Sequence, residues 1–111
     1  MMEKFSLDAT AREQLRAAQA ADSGRSATTL VGGHERILRQ TVVAMTAGTT
    51  QSEHETAAGE ATVLVRSGRV RLDADGHVWE GRDGDLLVMP VGAHTMEALE
   101  DSVFLLTVAM R

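Results

Sequence analysis

Hydrophobic positions change their spacing near residue 25. From Ser26 onward the texture is that of strands. "SATTLV" and "ERILRQTVVAMTAG" are rich in β-branched residues and are punctuated by Gly32, Gly33 and Gly48. "EATVLVRSGRVRLDADGHVWEG" alternates apolar and polar positions and reads as a meander, with tight turns at Ser67–Gly68 and Asp75–Gly76. "GDLLVMPVG", "HTMEALE" and "SVFLLTVAM" follow at intervals of about ten residues. Short, evenly spaced strands with turns between them predict an all-β sandwich or jelly-roll barrel. The final stretch is apolar on both faces, which predicts sheet-on-sheet packing or a homodimer contact. The long early strand alternates imperfectly, so Arg36, Arg39 and Gln40 are open to the cavity, an outer face or a dimer contact.

Before residue 26 the period is helical. Ser6 offers a cap and "SLDATAREQLRAAQAADSG" is Ala-rich. Leu7, Ala11, Leu15 and Ala18 share a weak apolar stripe, and Gly24 offers a stop. That stripe is too thin for a core of its own and is expected on the barrel or on a partner subunit. The expected organisation is a helical segment at residues 1–25 and a barrel domain at residues 26–111. A chain of 111 residues is one domain with one main core.

Composition narrows the partners. The formal net charge is -5, and the basic residues are scattered rather than clustered, which argues against nucleic acid. There are no cysteines, so disulfides and thiol chemistry are excluded. No apolar run approaches the roughly 20 residues that span a membrane, and the N-terminal stretch lacks a signal-peptide core. A cytoplasmic protein without membrane contact is the expectation. Phe5, Trp79 and Phe104 are the whole aromatic complement, so the core must be aliphatic and no stacking platform is expected. Trp79 is expected in the core or an interface.

Two stretches carry candidate chemistry: "GTTQSEHETAAGEATVLVRSG", Gly48 to Gly68, and "GDLLVMPVGAH", Gly84 to His94. Together they resemble the two motifs of the cupin family, over about residues 36 to 109. The resemblance implies a small jelly-roll barrel, usually dimeric. It also implies a divalent metal such as Zn, Fe, Mn or Ni, held by two histidines and a glutamate of the first motif and one histidine of the second. His54 stands at the first of those positions, and His94 stands for the last but arrives one residue early. Thr56 stands where the second histidine is expected. The glutamate position falls on Glu60 or on Ala61, depending on the end from which one counts. Alternation favours Ala61 inward with Val63 and Val65, because the other register would carry Arg66 into the barrel. His94, Met96 and Ala98 share the face expected to be interior.

Two imidazoles fall short of the donor set that a first-row metal requires. Water, a bound ligand, Glu53 or Glu55 would have to complete the site. The function expected is a small-molecule-binding barrel with weak or absent metal binding. Its cavity is marked by His54, Thr56, His94 and Met96, with Thr56 and Met96 as ligand contacts. The alternative is a metal-dependent enzyme of dioxygenase or isomerase type with His54 and His94 as ligands. The plainer role for both histidines is as hydrogen-bonded polar residues of a partly open cavity. His34 and His77 read as solvent-facing loop residues, and Glu53, Glu55 and Glu60 as a solvated acidic loop. No nucleophile system, phosphate loop or dinucleotide fingerprint is present.

Overall fold

The structure is a computed structural model that describes residues 2–53, 60–74, 76–90 and 92–109, with the side chain of Glu53 excepted. One helix, α1 (Leu7–Ala20), precedes nine strands: β1 (Arg25–Val31), β2 (Leu38–Met45), β3 (Thr50–Glu53), β4 (Ala61–Ser67), β5 (Arg69–Ala74), β6 (His77–Arg82), β7 (Leu86–Val88), β8 (His94–Ala98) and β9 (Ser102–Ala109). They form two antiparallel sheets, β1-β2-β9-β4-β7 and β3-β8-β5-β6. The concave faces meet around an aliphatic core that includes Met45, Val63, Val65, Leu72, Met96 and Phe104. This is a jelly roll with a short N-terminal helix.

Strands buried on one side keep the alternation visible in the sequence. On β4, Ala61, Val63 and Val65 are buried while Leu64 and Arg66 are exposed. Glu60 lies outside and Ala61 inside, and Arg66 pairs with Asp8 of α1 on the outer surface. On β8, His94, Met96 and Ala98 are buried while Thr95 and Glu97 face out. The β4–β5 and β5–β6 turns place Gly68 and Gly76 at φ +95° and +76°, a region that L side chains avoid.

β2 and β9 lose their alternation for a different reason. Val42, Val43, Ala44 and Met45 are all buried, because Val43 and Met45 face the core while Val42 and Ala44 face α1. The helix lays Ala11, Leu15 and Ala18 across Val42, Ala44 and Val103 on the outside of the five-stranded sheet. Of the two places expected for the apolar stripe, the barrel surface is the one it occupies. The double apolarity of β9 is thus largely satisfied within the chain. The uncovered part of that sheet face still exposes Leu38, Leu64, Leu86 and Val88.

Ser6 caps α1 by accepting from the Ala9 N–H at 3.2 Å. The helix ends at Ala20 rather than at Gly24, and Gly24 instead makes the turn into β1 at φ +71°. Asp101 ties the far end of α1 to the barrel through Gln19 and also holds the β2–β3 turn. The Asp101 carboxylate accepts from the Ala47 N–H at 2.8 Å and from Gln19 Nε2 at 3.1 Å, pulling its pKa below the ordinary value.

Trp79 is not in the core. It faces Leu72 across the β5–β6 ladder, but β6 is an edge strand, so the indole stays 43% exposed beside the His77 ring at 5.7 Å. His77 is exposed as expected, although it begins β6 rather than sitting in a loop. Arg36 precedes β2 and pairs with Glu3 at 3.9 Å. Gln40 points outward and donates to Thr107 Oγ1 at 3.2 Å, whereas Arg39 pairs in register with Val108 at the end of the sheet. Among the described residues no helix is long and apolar enough to cross a membrane.

Candidate functional site

Strand register brings distant residues to one concave face. Gln51 of β3 stands opposite Met96 of β8, and Met96 stands opposite Leu72 of β5. Across the barrel, Val63 of β4 pairs with Leu106 of β9. The Met89 N–H donates to the Ala61 carbonyl at 2.9 Å and so draws Met89 in beside β4. Between the sheets lies a cavity of about 50 Å³, walled by Val63, Met89, Met96, Phe104 and Leu106. Among the described residues, its polar lining is His94 and Gln51. A void of this size holds a few waters or one small polar group.

His94 is only 9% exposed, and its Nδ1 lies 3.3 Å from the Gly92 carbonyl oxygen. A carbonyl oxygen only accepts, so Nδ1 carries a proton in this contact. Gln51 is held from outside the cavity, because Arg25 Nε donates to its Oε1. Arg25 is half-buried at the start of β1, and β1 and β3 are edge strands of the two sheets. This bond therefore stitches the seam between them.

Of the residues singled out in the sequence, His94 and Met96 are brought together in this cavity. His54 and Thr56 lie outside the described residues, as does Glu55. Gln51 was not singled out. Its one signal is that it lies an even number of positions before Glu53 on a short polar strand, which says nothing until β3 is known to pair with β8.

No family model and no curated protein matches this chain. Solved structures do match it in fold. A conserved protein of unknown function from Streptococcus pyogenes, SPY1581, superposes with a TM-score of 0.74 at 24% identity, over 100% of this chain and 91% of that one. An RmlC-like cupin protein from Desulfovibrio desulfuricans superposes with a TM-score of 0.66 at 19% identity, over 98% and 92% of the two chains. The fold is the cupin fold. A salicylate 1,2-dioxygenase mutant from Pseudoaminobacter salicylatoxidans is similar over 95% of this chain but only 34% of its own length, at 20% identity and a TM-score of 0.76.

The cupin fold raises the question of a metal, and the donor chemistry answers it for the described residues. No group of three His, Cys, Asp or Glu side chains among them is arranged to hold an ion. Ala61, with no donor atom, takes the inward place on β4, and Glu60 beside it is exposed. Among the described residues that line the cavity, His94 is the one imidazole, beside the Gln51 amide, two thioethers and apolar groups. The described residues by themselves do not supply the donor set of a divalent first-row ion.

Proposed function

We propose that this cupin barrel binds a small molecule whose polar end enters the cavity beside His94 and Met96. The observation that carries the reading is the cavity itself: a largely apolar, partly open space with, among the described residues, one imidazole and one amide in its wall. Such a lining favours a ligand with a compact polar head, because each buried polar group needs a partner. At about 50 Å³ this space admits that head and not a whole metabolite. The remainder of the ligand then extends out through the end of the barrel. His54 and Thr56 enter this reading only by their place in the first motif. The structure of a cupin alone names no reaction, since one fold carries many functions.

The test is a titration of methyl-labelled protein with a mixture of small polar fragments. The expected result is shifts centred on Val63, Met89 and Met96, weakened by Val63→Ile, which narrows the cavity by one methylene. Shifts centred elsewhere, or unchanged by Val63→Ile, would overturn the reading.

A further inference from the structure

Met89, His94 and Met96 line one cavity, and their donor atoms differ in kind from the histidine–carboxylate set that the cupin resemblance implies. His94 and Met96 stand two residues apart on β8 and are both buried on its inner face. Their side chains therefore lie side by side, with Cα atoms about 7 Å apart. Met89 joins them from the end of β7, drawn in by its N–H bond to the Ala61 carbonyl at 2.9 Å. A space of about 50 Å³ has a radius of only about 2 Å, so its walls lie close to a common centre. His94 is also braced in the manner of a ligating imidazole. Its Nδ1 meets the Gly92 carbonyl oxygen at 3.3 Å, which leaves Nε2 as the nitrogen for a metal.

We propose that this cavity takes a soft monovalent ion, Cu(I), between Met89, His94 and Met96. Thioethers select Cu(I), and imidazole suits copper as well, whereas carboxylate-rich sets suit the harder divalent ions. Charge points the same way. Among the described residues the lining has no carboxylate to offset an ion's charge. The cost of taking an ion out of water scales with the square of its charge, so a monovalent ion costs about a quarter as much as a divalent one. Methionine is unbranched with three rotatable bonds, so the two thioethers can close on an ion without moving the strands. Binding displaces any proton from His94 Nε2 into solvent, so the site does not depend on the resting state of the ring. The proposal concerns a metal ion and stands apart from the small-molecule reading, which neutral fragments test.

Ag(I), a redox-inert ion of similar softness, is the first probe, titrated into protein labelled at the methionine methyls; Cu(I) follows under anaerobic, reducing conditions. Cu(I) oxidises in air and one imidazole retains Cu(II) poorly, so protein purified aerobically is expected to hold little copper until the ion is added. The expected result is that one equivalent of Ag(I) shifts the methyls of Met89 and Met96. The methyl of Met45, buried but outside this lining, stays in place. Zn(II) at the same concentration shifts neither. Met89→Leu and Met96→Leu, which nearly conserve volume, each weaken Ag(I) binding about tenfold or more. Shifts confined to other methionines, Zn(II) binding as tightly as Ag(I), or undiminished affinity in the leucine variants overturns the proposal. So does the absence of any shift. Should Met96→Leu fail to fold, Met89→Leu decides alone, because Met89 is only partly buried.

Discussion

Gly68 and Gly84 form a matched pair in which only one glycine is sterically required. Both sit at positive φ, +95° and +87°, so an alanine at either carries a similar backbone penalty of about 1–2 kcal/mol. Both keep their N–H bonds on substitution, Gly68 to Asp83 Oδ1 at 2.8 Å and Gly84 to the Val65 carbonyl at 2.8 Å. The entropy that alanine removes from the unfolded chain, about 0.4–1 kcal/mol, acts alike at the two sites and cancels in the comparison. The surroundings differ. A Cβ on Gly84 meets nothing within 4 Å, whereas one on Gly68 would overlap Ser102 Oγ and the Asp101 carbonyl and stand 2.7 Å from Ser102 Cα. Two of those three neighbours are backbone of the β8–β9 turn, which cannot swing aside as a side chain can. Asp101 is itself held by Ala47 and Gln19.

Forcing that turn outward, where the neighbours are backbone, adds a further cost of about 2–3 kcal/mol, the upper part of the ~1–3 kcal/mol that core overpacking costs. Gly68→Ala is therefore expected to lose about 3–5 kcal/mol and Gly84→Ala about 1–2. A domain of this length has roughly 5–15 kcal/mol in total, so the first loss is a large share of it. Urea unfolding followed by circular dichroism measures both. The melting temperatures should separate as well, by about 3–6 °C for each kcal/mol of difference. Losses within about 1 kcal/mol of each other would refute the steric argument.

Three further outcomes follow from the same structure. Bonds from the Ala47 N–H and then from Gln19 hold Asp101 below its ordinary carboxylate value of 3.8. Such a group contributes stability above the unfolded pKa and loses it as pH falls through the lower folded pKa. Asp101→Asn should therefore flatten the acid-side decline below about pH 4, read as urea midpoints across that range; an unchanged slope would count against the assignment. Ala18 is fully buried between α1 and Val42, Ala44 and Val103. Ala18→Leu should cost about 1–3 kcal/mol by overpacking and lower hydrogen-exchange protection in α1 more than in β2. Equal protection loss in both elements would show that the helix does not unfold separately. Untagged protein should carry well under one metal ion per chain by mass spectrometry. Stoichiometric metal that disappears in the His54→Ala/His94→Ala variant would reverse the reading of the donor set.

The sequence by itself determined the fold class and much of the facing of the strands. Where one side of a strand is wet, period-two alternation survives in the residues. Ala61, Val63 and Val65 can then be read as inward, and the position of Arg66 decides between Glu60 and Ala61. His94, Met96 and Ala98 are legible for the same reason. Ser6 and the Ala-rich stripe announce α1, because capping and propensity are local.

Tertiary structure decided the rest. Only the docking of α1 explains why Val42 to Met45 are apolar without a break, since burial on both faces erases the alternation that would reveal either. Only sheet order shows that β6 is an edge, leaving Trp79 partly exposed although its side chain is among the largest apolar groups in the chain. The cavity is the clearest case. Gln51 and His94 become neighbours through the β3–β8 register, and Arg25 reaches Gln51 across the seam between sheets. No local pattern encodes such a meeting, because hydrogen-bonded register between distant strands is set by the packing of the whole barrel.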